Sequence, residues 1–364
     1  MDIAVLTSSR ADYGFYKPLL ENSNKGNVNF KLIVFGTHLS KAHGYTVEAI
    51  EKDQIEIFAK VDTIADGDTP AAIAKSMGKI HSLFSEVWDE NNFDAILCLG
   101  DRYEMYAAVS SSVPFNIPVI HLSGGEETLG AIDNYFRHAL TLMAKHHFTN
   151  TKLNADRVVE LKGSDENVYH TGSLAIDNIL ATTLYTETEF KEEYSFDVFN
   201  EFLLFTFHPE TVKFELNEAY VEEIAKFISK TNFNILCTMP NVDTYGSVIR
   251  KRLISLQKEN DNLFLYESLG SKGYYSALKY CYAVVGNSSS GIVESSSFKK
   301  YVINVGDRQK GRERGRNVLD CRIDAQEIER KVEEIKTLDQ LDNTNIYGDG
   351  KSSSRMINIL KELV

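Results

Sequence analysis

The sequence predicts an α/β protein built on two doubly wound parallel sheets. Three observations carry that expectation. Short apolar runs alternate with amphipathic segments almost from end to end, the pattern of βαβ units. The alternation pauses once, over the charged and polar stretch 187–200, then restarts, giving two arrays of similar size. Polar and glycine residues repeatedly follow the strand candidates, and ligands of such sheets bind outside the carboxyl ends of the strands. The expected domains are 1–180 and 181–350, facing each other across a cleft that holds the active site.

The elements follow in order. Strand candidates of the first array are 3–6, 31–35, 55–59, 95–99, 118–122 and 168–170. Helical spacing occupies 16–21, 46–52, 70–91, 104–112, 134–145 and 152–161 between and after them. The second array has strands at 202–207, 234–239, 263–266, 282–285 and 301–305. Leu216, Tyr220, Ile224, Phe227 and Ile228 share one face of its first helix. No sequence-level repeat links the arrays.

Bulk properties narrow the partners. A chain of 364 residues suits two domains, and 43% apolar with 25% charged residues is ordinary for a soluble globular protein. A net charge of −13 argues against nucleic acid or an anionic membrane as the main partner. An anionic ligand therefore needs a local basic site. No apolar run approaches a membrane span, and Met1 leads into Ile3–Leu6 without a basic n-region, so neither span nor signal peptide is expected. Cys98, Cys237, Cys281 and Cys321 lie far apart with no C-x-x-C pairing, which reads as buried free thiols in a reducing cytoplasm. His121, His138, His146 and His147 lack the helical i, i+4 pairing of zinc enzymes, so no metal site is expected. No G-x-G-x-x-G follows the first strand and no P-loop occurs, which disfavours NAD and ATP; no cofactor is expected.

Several constellations suggest chemistry. The turn 286–291, Gly-Asn-Ser-Ser-Ser-Gly, joins a buried strand to a helix start. Free backbone N–H groups and the positive end of the helix dipole suit phosphate there. Ser288, Ser289 and Ser290 add hydroxyl donors, and Glu294 is placed to accept a pair of sugar hydroxyls. A plain serine N-cap is the alternative. Five cations crowd 308–316, where Arg308 is suited to a bidentate phosphate clamp. The alternative is a solvated loop paired with carboxylates. Asp101, Glu126 and Asp133 are carboxylates of the type needed for acid–base work on a sugar, although Asp133 equally suits a helix cap. His208, restrained by Pro209, suits an acid–base or phosphate contact.

Seven segments in order resemble the hydrolysing UDP-N-acetylglucosamine 2-epimerases. They are Ser9–Gly14, Gly100–Glu104, His121–Glu126, Arg137-His138, Phe207–Glu210, Gly286–Gly291 with Glu294, and Gly306–Gln309; the resemblance covers about residues 3–362. It implies a GT-B-like pair of Rossmann-like domains and a C-terminal helix, about 351–364, that packs back onto the first. It implies UDP held mainly by the second domain, with Ser288 and Ser289 at the pyrophosphate, Glu294 at the ribose, and Arg308 and Arg10 at the phosphates. Asp12, Arg102, Asn241, Gly286 and Ser290 join the UDP-sugar contacts; Asp101, Glu126, Asp133 and His208 form the catalytic set. Two positions depart from the family pattern. Ser123 stands where one branch has Glu, and Phe15 where some members have Lys, with Lys17 two residues on.

The implied reaction converts UDP-N-acetylglucosamine to N-acetylmannosamine and UDP through a 2-acetamidoglucal, for sialic-acid-type sugar synthesis. The same chemistry on UDP-N,N'-diacetylbacillosamine is the alternative within the family. A GT-B glycosyltransferase and a non-catalytic UDP-sugar sensor are the readings of other classes. The resemblance also implies a homodimer or homotetramer.

Overall fold

A computed structural model of the chain describes residues 1–21, 28–41, 44–63, 67–240, 245–342 and 344–363. Asn241 lies outside the described residues. The chain forms two compact units. The first is Met1–Glu126, Asp133–Ala181 and Tyr347–Val364; the second is Glu127–Ile132 and Thr182–Ile346.

The first unit carries strands β1 (Asp2–Thr7), β2 (Asn29–Phe35), β3 (Ile57–Val61), β4 (Ala95–Leu99), β5 (Val119–Leu122), β6 (His146–Thr149) and β7 (Val168–His170). They form one parallel sheet in the order β3-β2-β1-β4-β5-β6-β7. Both faces are covered at the centre of the sheet, so β1 and β4 are apolar on both sides. In β1, Ile3 and Val5 enter one core while Ala4 and Leu6 enter the other; in β4, Leu97 and Cys98 divide the same way. Met356, Ile357 and Leu360 of the helix Ser352–Glu362 complete the first of these cores. That helix is fastened by Asp177, whose carboxylate accepts the Ser352 and Ser353 N–H groups at 3.0 and 2.7 Å.

The second unit repeats the plan. Its strands are β8 (Phe202–Thr206), β9 (Asn234–Thr238), β10 (Leu263–Tyr266), β11 (Ala283–Gly286), β12 (Val302–Val305) and β13 (Val318–Cys321), in the parallel order β10-β9-β8-β11-β12-β13. Both sheets thus begin in the middle, run outward, and return to grow the other way. The reversal leaves a crevice beyond β1 and β4 in one sheet, and beyond β8 and β11 in the other.

Several sequence expectations need correction. Strands β6 and β13 were not foreseen. The stretch read as a connection contains the helix Glu187–Tyr194, held by a capping box between Thr186 and Glu189 and anchored by buried Phe190. The first helix begins at Arg10 rather than at 16 and continues through Pro18 to Glu21. Residues 127–132 leave the first domain for the second, because the Leu129 N–H donates to the Lys310 carbonyl (2.9 Å). Tyr347 to 350 belong to the first unit, where the Tyr347 carbonyl accepts the Ser173 N–H at 2.7 Å. Among the described residues no helix is long and apolar enough to cross a membrane.

Candidate active site

In the second unit the crevice loops are fastened by one buried amide. Gly286 ends β11 at φ 139°, and a Cβ there would lie 1.9 Å from the Thr206 carbonyl, so only glycine passes. Asn287 follows, fully buried. Its Oδ1 accepts the His208 N–H at 2.7 Å and its Nδ2 donates to the His208 carbonyl at 2.8 Å. Its own carbonyl accepts from Arg308 Nη1 (3.4 Å) and Gln309 Nε2 (3.0 Å). One side chain and one carbonyl therefore register the loops after β8, β11 and β12. Glu210 adds a second fastening, since its Oε1 accepts the Asp307 N–H at 2.7 Å.

The serine turn then presents hydroxyls. Ser288 precedes the helix Ser289–Glu294 with its side chain uncommitted to capping. Its Oγ lies 2.9 Å from Ser290 Oγ, and Ser290 lies 2.8 Å from the Tyr274 hydroxyl. Glu294 is buried, and among the described residues its Oε2 has no hydrogen-bond partner. Burial pushes this carboxyl up to about 8, with a Tyr275 hydrogen bond acting the other way. A buried acceptor of this kind calls for a donor, and a sugar diol offers two.

Ion pairs hold members of this cation cluster. Arg314 meets Asp320, and Arg316 meets Asp342 at 3.1 Å. Arg312 Nε donates to Gln309 Oε1 at 2.8 Å. Charge pairing thus describes much of this segment, and Arg308 reaches the serine turn through the Asn287 carbonyl.

The first unit is organised differently: its charged groups hold one another. Asp12 is buried, and its Oδ2 accepts the Ser8 and Ser9 N–H groups (2.8 and 3.0 Å) and the Ser8 hydroxyl (2.7 Å); Oδ1 accepts the Ser9 hydroxyl (3.1 Å). Asp12 therefore shapes the loop that starts the Arg10 helix. Arg10 is exposed at the first helical position. Asp101 forms an ion pair with Arg137, a fully buried cation that also donates to the Glu126 carbonyl and to Asn134 Oδ1, both at 3.0 Å. Arg102 turns its fork onto buried Glu104 (3.2 and 3.0 Å), a use the sequence reading did not foresee. Glu126 Oε1 accepts from Asn150 Nδ2 at 2.7 Å. Asp133, partly exposed, is the first residue of the helix Asp133–Met143.

His121 supports the Asp101 loop. Its Nε2 lies 2.8 Å from the Gly100 carbonyl, which only accepts, so that nitrogen carries the proton and Nδ1 faces the Thr141 hydroxyl at 3.2 Å. Burial pushes this imidazole down to about 4, leaving it neutral at pH 7. Buried His38, bracketed by the Thr7 and Thr46 hydroxyls (2.9 and 2.8 Å), is likewise pushed down to about 4 by burial.

Known proteins place this geometry. The model of a family described as UDP-N-acetylglucosamine 2-epimerase matches residues 20–361. The chain belongs to that family. It is 31% identical over 362 residues to a UDP-N,N'-diacetylbacillosamine 2-epimerase (hydrolyzing) of Legionella pneumophila, covering 99% of this chain and 96% of that one. It is 33% identical over 333 residues to polysialic acid biosynthesis protein P7 of Escherichia coli, covering 91% and 85%. The crystal structure of UDP-GlcNAc 2-epimerase from Neisseria meningitidis bound to UDP-GlcNAc superposes with TM-score 0.83 at 16% identity, covering all of both chains. The fold is accordingly that of the family: α/β, in two GT-B-like units.

Two residues central to this arrangement were quoted in family motifs without a role, Arg137 and Asn287. Their signal was present as polar residues within otherwise apolar or small-residue surroundings. Their partners lie 36 and 79 residues away, beyond the reach of spacing arguments.

Proposed function

We propose that this protein is a hydrolysing 2-epimerase of UDP-activated 2-acetamido sugars, converting UDP-N-acetylglucosamine to N-acetylmannosamine and UDP. The observation that carries the reading is the buried Glu294 carboxyl, whose Oε2 has no hydrogen-bond partner among the described residues, on the short helix that follows a hydroxyl turn contacted by Arg308, within a chain of this family. The second unit is assigned the UDP. Ser288 and Ser289 donate to the pyrophosphate with Ser290 beside them in the turn, Arg308 and Arg10 neutralise it, and Glu294 accepts the ribose hydroxyls. Gly286 permits the turn.

The first unit is assigned the proton chemistry. A carboxylate removes the C2 proton while the C1–O bond breaks, and its electron pair leaves with UDP. The product is the 2-acetamidoglucal. Water then adds at C1 and a proton returns to C2 from the opposite face, giving the free manno sugar. Asp101, Glu126 and Asp133 are the candidate acids and bases, with His208 serving the leaving group or reprotonation. Arg137 beside Asp101 favours its charged form, as a base requires. Glu126 takes the role left by Ser123 in this chain. We place the enzyme in the cytoplasm as a homodimer or homotetramer.

A second reading of the substrate follows from the Legionella relative, whose name gives UDP-N,N'-diacetylbacillosamine. Both nucleotide sugars should be assayed side by side for UDP release without any acceptor. Faster turnover of UDP-N-acetylglucosamine is expected. A strong preference for the diacetyl sugar would move the enzyme to the second substrate, and release of UDP from neither would refute the epimerase.

A further inference from the structure

Tyr274 touches nothing that the reaction requires, yet it ends a chain of three hydroxyls that begins at the serine turn. It belongs to the helix Gly270–Tyr280. That helix is seated closely, since a Cβ on Gly273 would lie 2.2 Å from the Tyr194 hydroxyl, which itself donates to the Leu269 carbonyl at 2.7 Å. The Tyr274 hydroxyl lies 2.8 Å from Ser290 Oγ, and Ser290 Oγ lies 2.9 Å from Ser288 Oγ.

The direction of this chain follows from acidity. A phenol is a stronger acid and a weaker acceptor than an aliphatic alcohol. The proton between Tyr274 and Ser290 therefore comes from the phenol. Burial and the Glu294 carboxylate raise the phenol further above its ordinary range, so it keeps that proton. Ser290, having accepted, donates its own proton to Ser288. Ser288 has then accepted, and its O–H is left to turn outward.

We propose that Tyr274 is a positioning residue that fixes the polarity of the Ser290–Ser288 pair, so that the Ser288 O–H is released to donate to the ligand. An anionic oxygen, which only accepts, is the partner such a group selects. Chains of this kind also strengthen as each bond polarises the next. The inference rests on the assignment of UDP to the serine turn.

The test is a double-mutant cycle on UDP affinity, measured by calorimetry with UDP as the probe. Ser288→Ala should weaken UDP. Tyr274→Phe, which removes one oxygen and keeps the ring, should weaken UDP by about three- to tenfold, the worth of one hydrogen bond. Ser290→Ala, which cuts the chain at its middle, should do the same. In the Ser288→Ala background Tyr274→Phe should have no further effect, because the group it orients is gone. Equal weakening by Tyr274→Phe in both backgrounds would show a merely structural tyrosine and overturn the inference, as would no effect of Tyr274→Phe where Ser288→Ala is harmful. No effect of Ser288→Ala would instead remove UDP from the turn, and the inference with it.

Discussion

The two sheets share one strand order, but the groups beyond their strands are used in opposite ways. In the second unit, Asn287 and Glu210 fasten the loops to each other through backbone groups. The Ser288 side chain and Glu294 Oε2 stay out of that fastening. In the first unit the candidate acids and bases are themselves part of the framework, as Asp101 with Arg137 and Glu126 with Asn150 show. A site that binds an anion gains from preorganised donors held by neutral partners. On the proposed function the second unit is the binding half and the first the half that moves protons.

Substitutions should separate the halves. The largest effect is expected from Asp101→Asn, which keeps the shape and removes the candidate base paired with Arg137. Turnover should fall by about 100- to 10,000-fold, the usual range for a general acid–base group, with UDP affinity nearly unchanged. Steady-state kinetics beside UDP calorimetry reads the contrast; a loss of UDP affinity instead of kcat would erase it. Arg137→Met should follow. It strands the Asp101 charge, and breaking a buried pair costs about 3–5 kcal/mol, measurable by chemical denaturation.

Asn287→Ala should cost about 1–3 kcal/mol in the same experiment, because it leaves the buried His208 N–H and carbonyl without a partner. Unlike Arg137→Met, it should also weaken UDP.

Glu294 gives a pH signature confined to the binding half. Its folded value of about 8 lies above the ordinary 4.5. Its contribution to stability is therefore full below pH 4.5 and is lost as pH rises through 8. A ribose diol donates to the charged form, so UDP affinity should rise between pH 7 and 9 with release of a proton. Glu294→Gln should flatten both trends, and calorimetry in buffers of different ionisation enthalpy reads the proton. The smallest effect belongs to the Lys17–Asp53 pair (2.8 Å), one-third exposed, where Lys17→Met should cost about 0–1 kcal/mol.

This contrast also explains what the sequence disclosed. The buried strands were legible because β8 is apolar up to its last residue, Phe202–Phe205 rising from a polar stretch, and the serine turn was legible because its residues are contiguous. Strand β6 was hidden because His146 and His147 read as polar, although both are buried. The helix Glu187–Tyr194 was hidden because one apolar anchor, Phe190, sets no period. In the site, the residues expected to bind were easier to name than the residues that hold them. Asp12 and Arg102 have the composition of ligand contacts, and only their hydrogen bonds show what they hold.

The central claim, that UDP leaves by elimination across C1 and C2, is tested most directly by turnover in D2O. UDP-N-acetylglucosamine is incubated with the enzyme and no acceptor, and the released sugar is followed by proton NMR. Free N-acetylmannosamine with deuterium at C2 is the expected result. Release of UDP with the original hydrogen retained at C2, or substrate left intact until an acceptor is added, would contradict it.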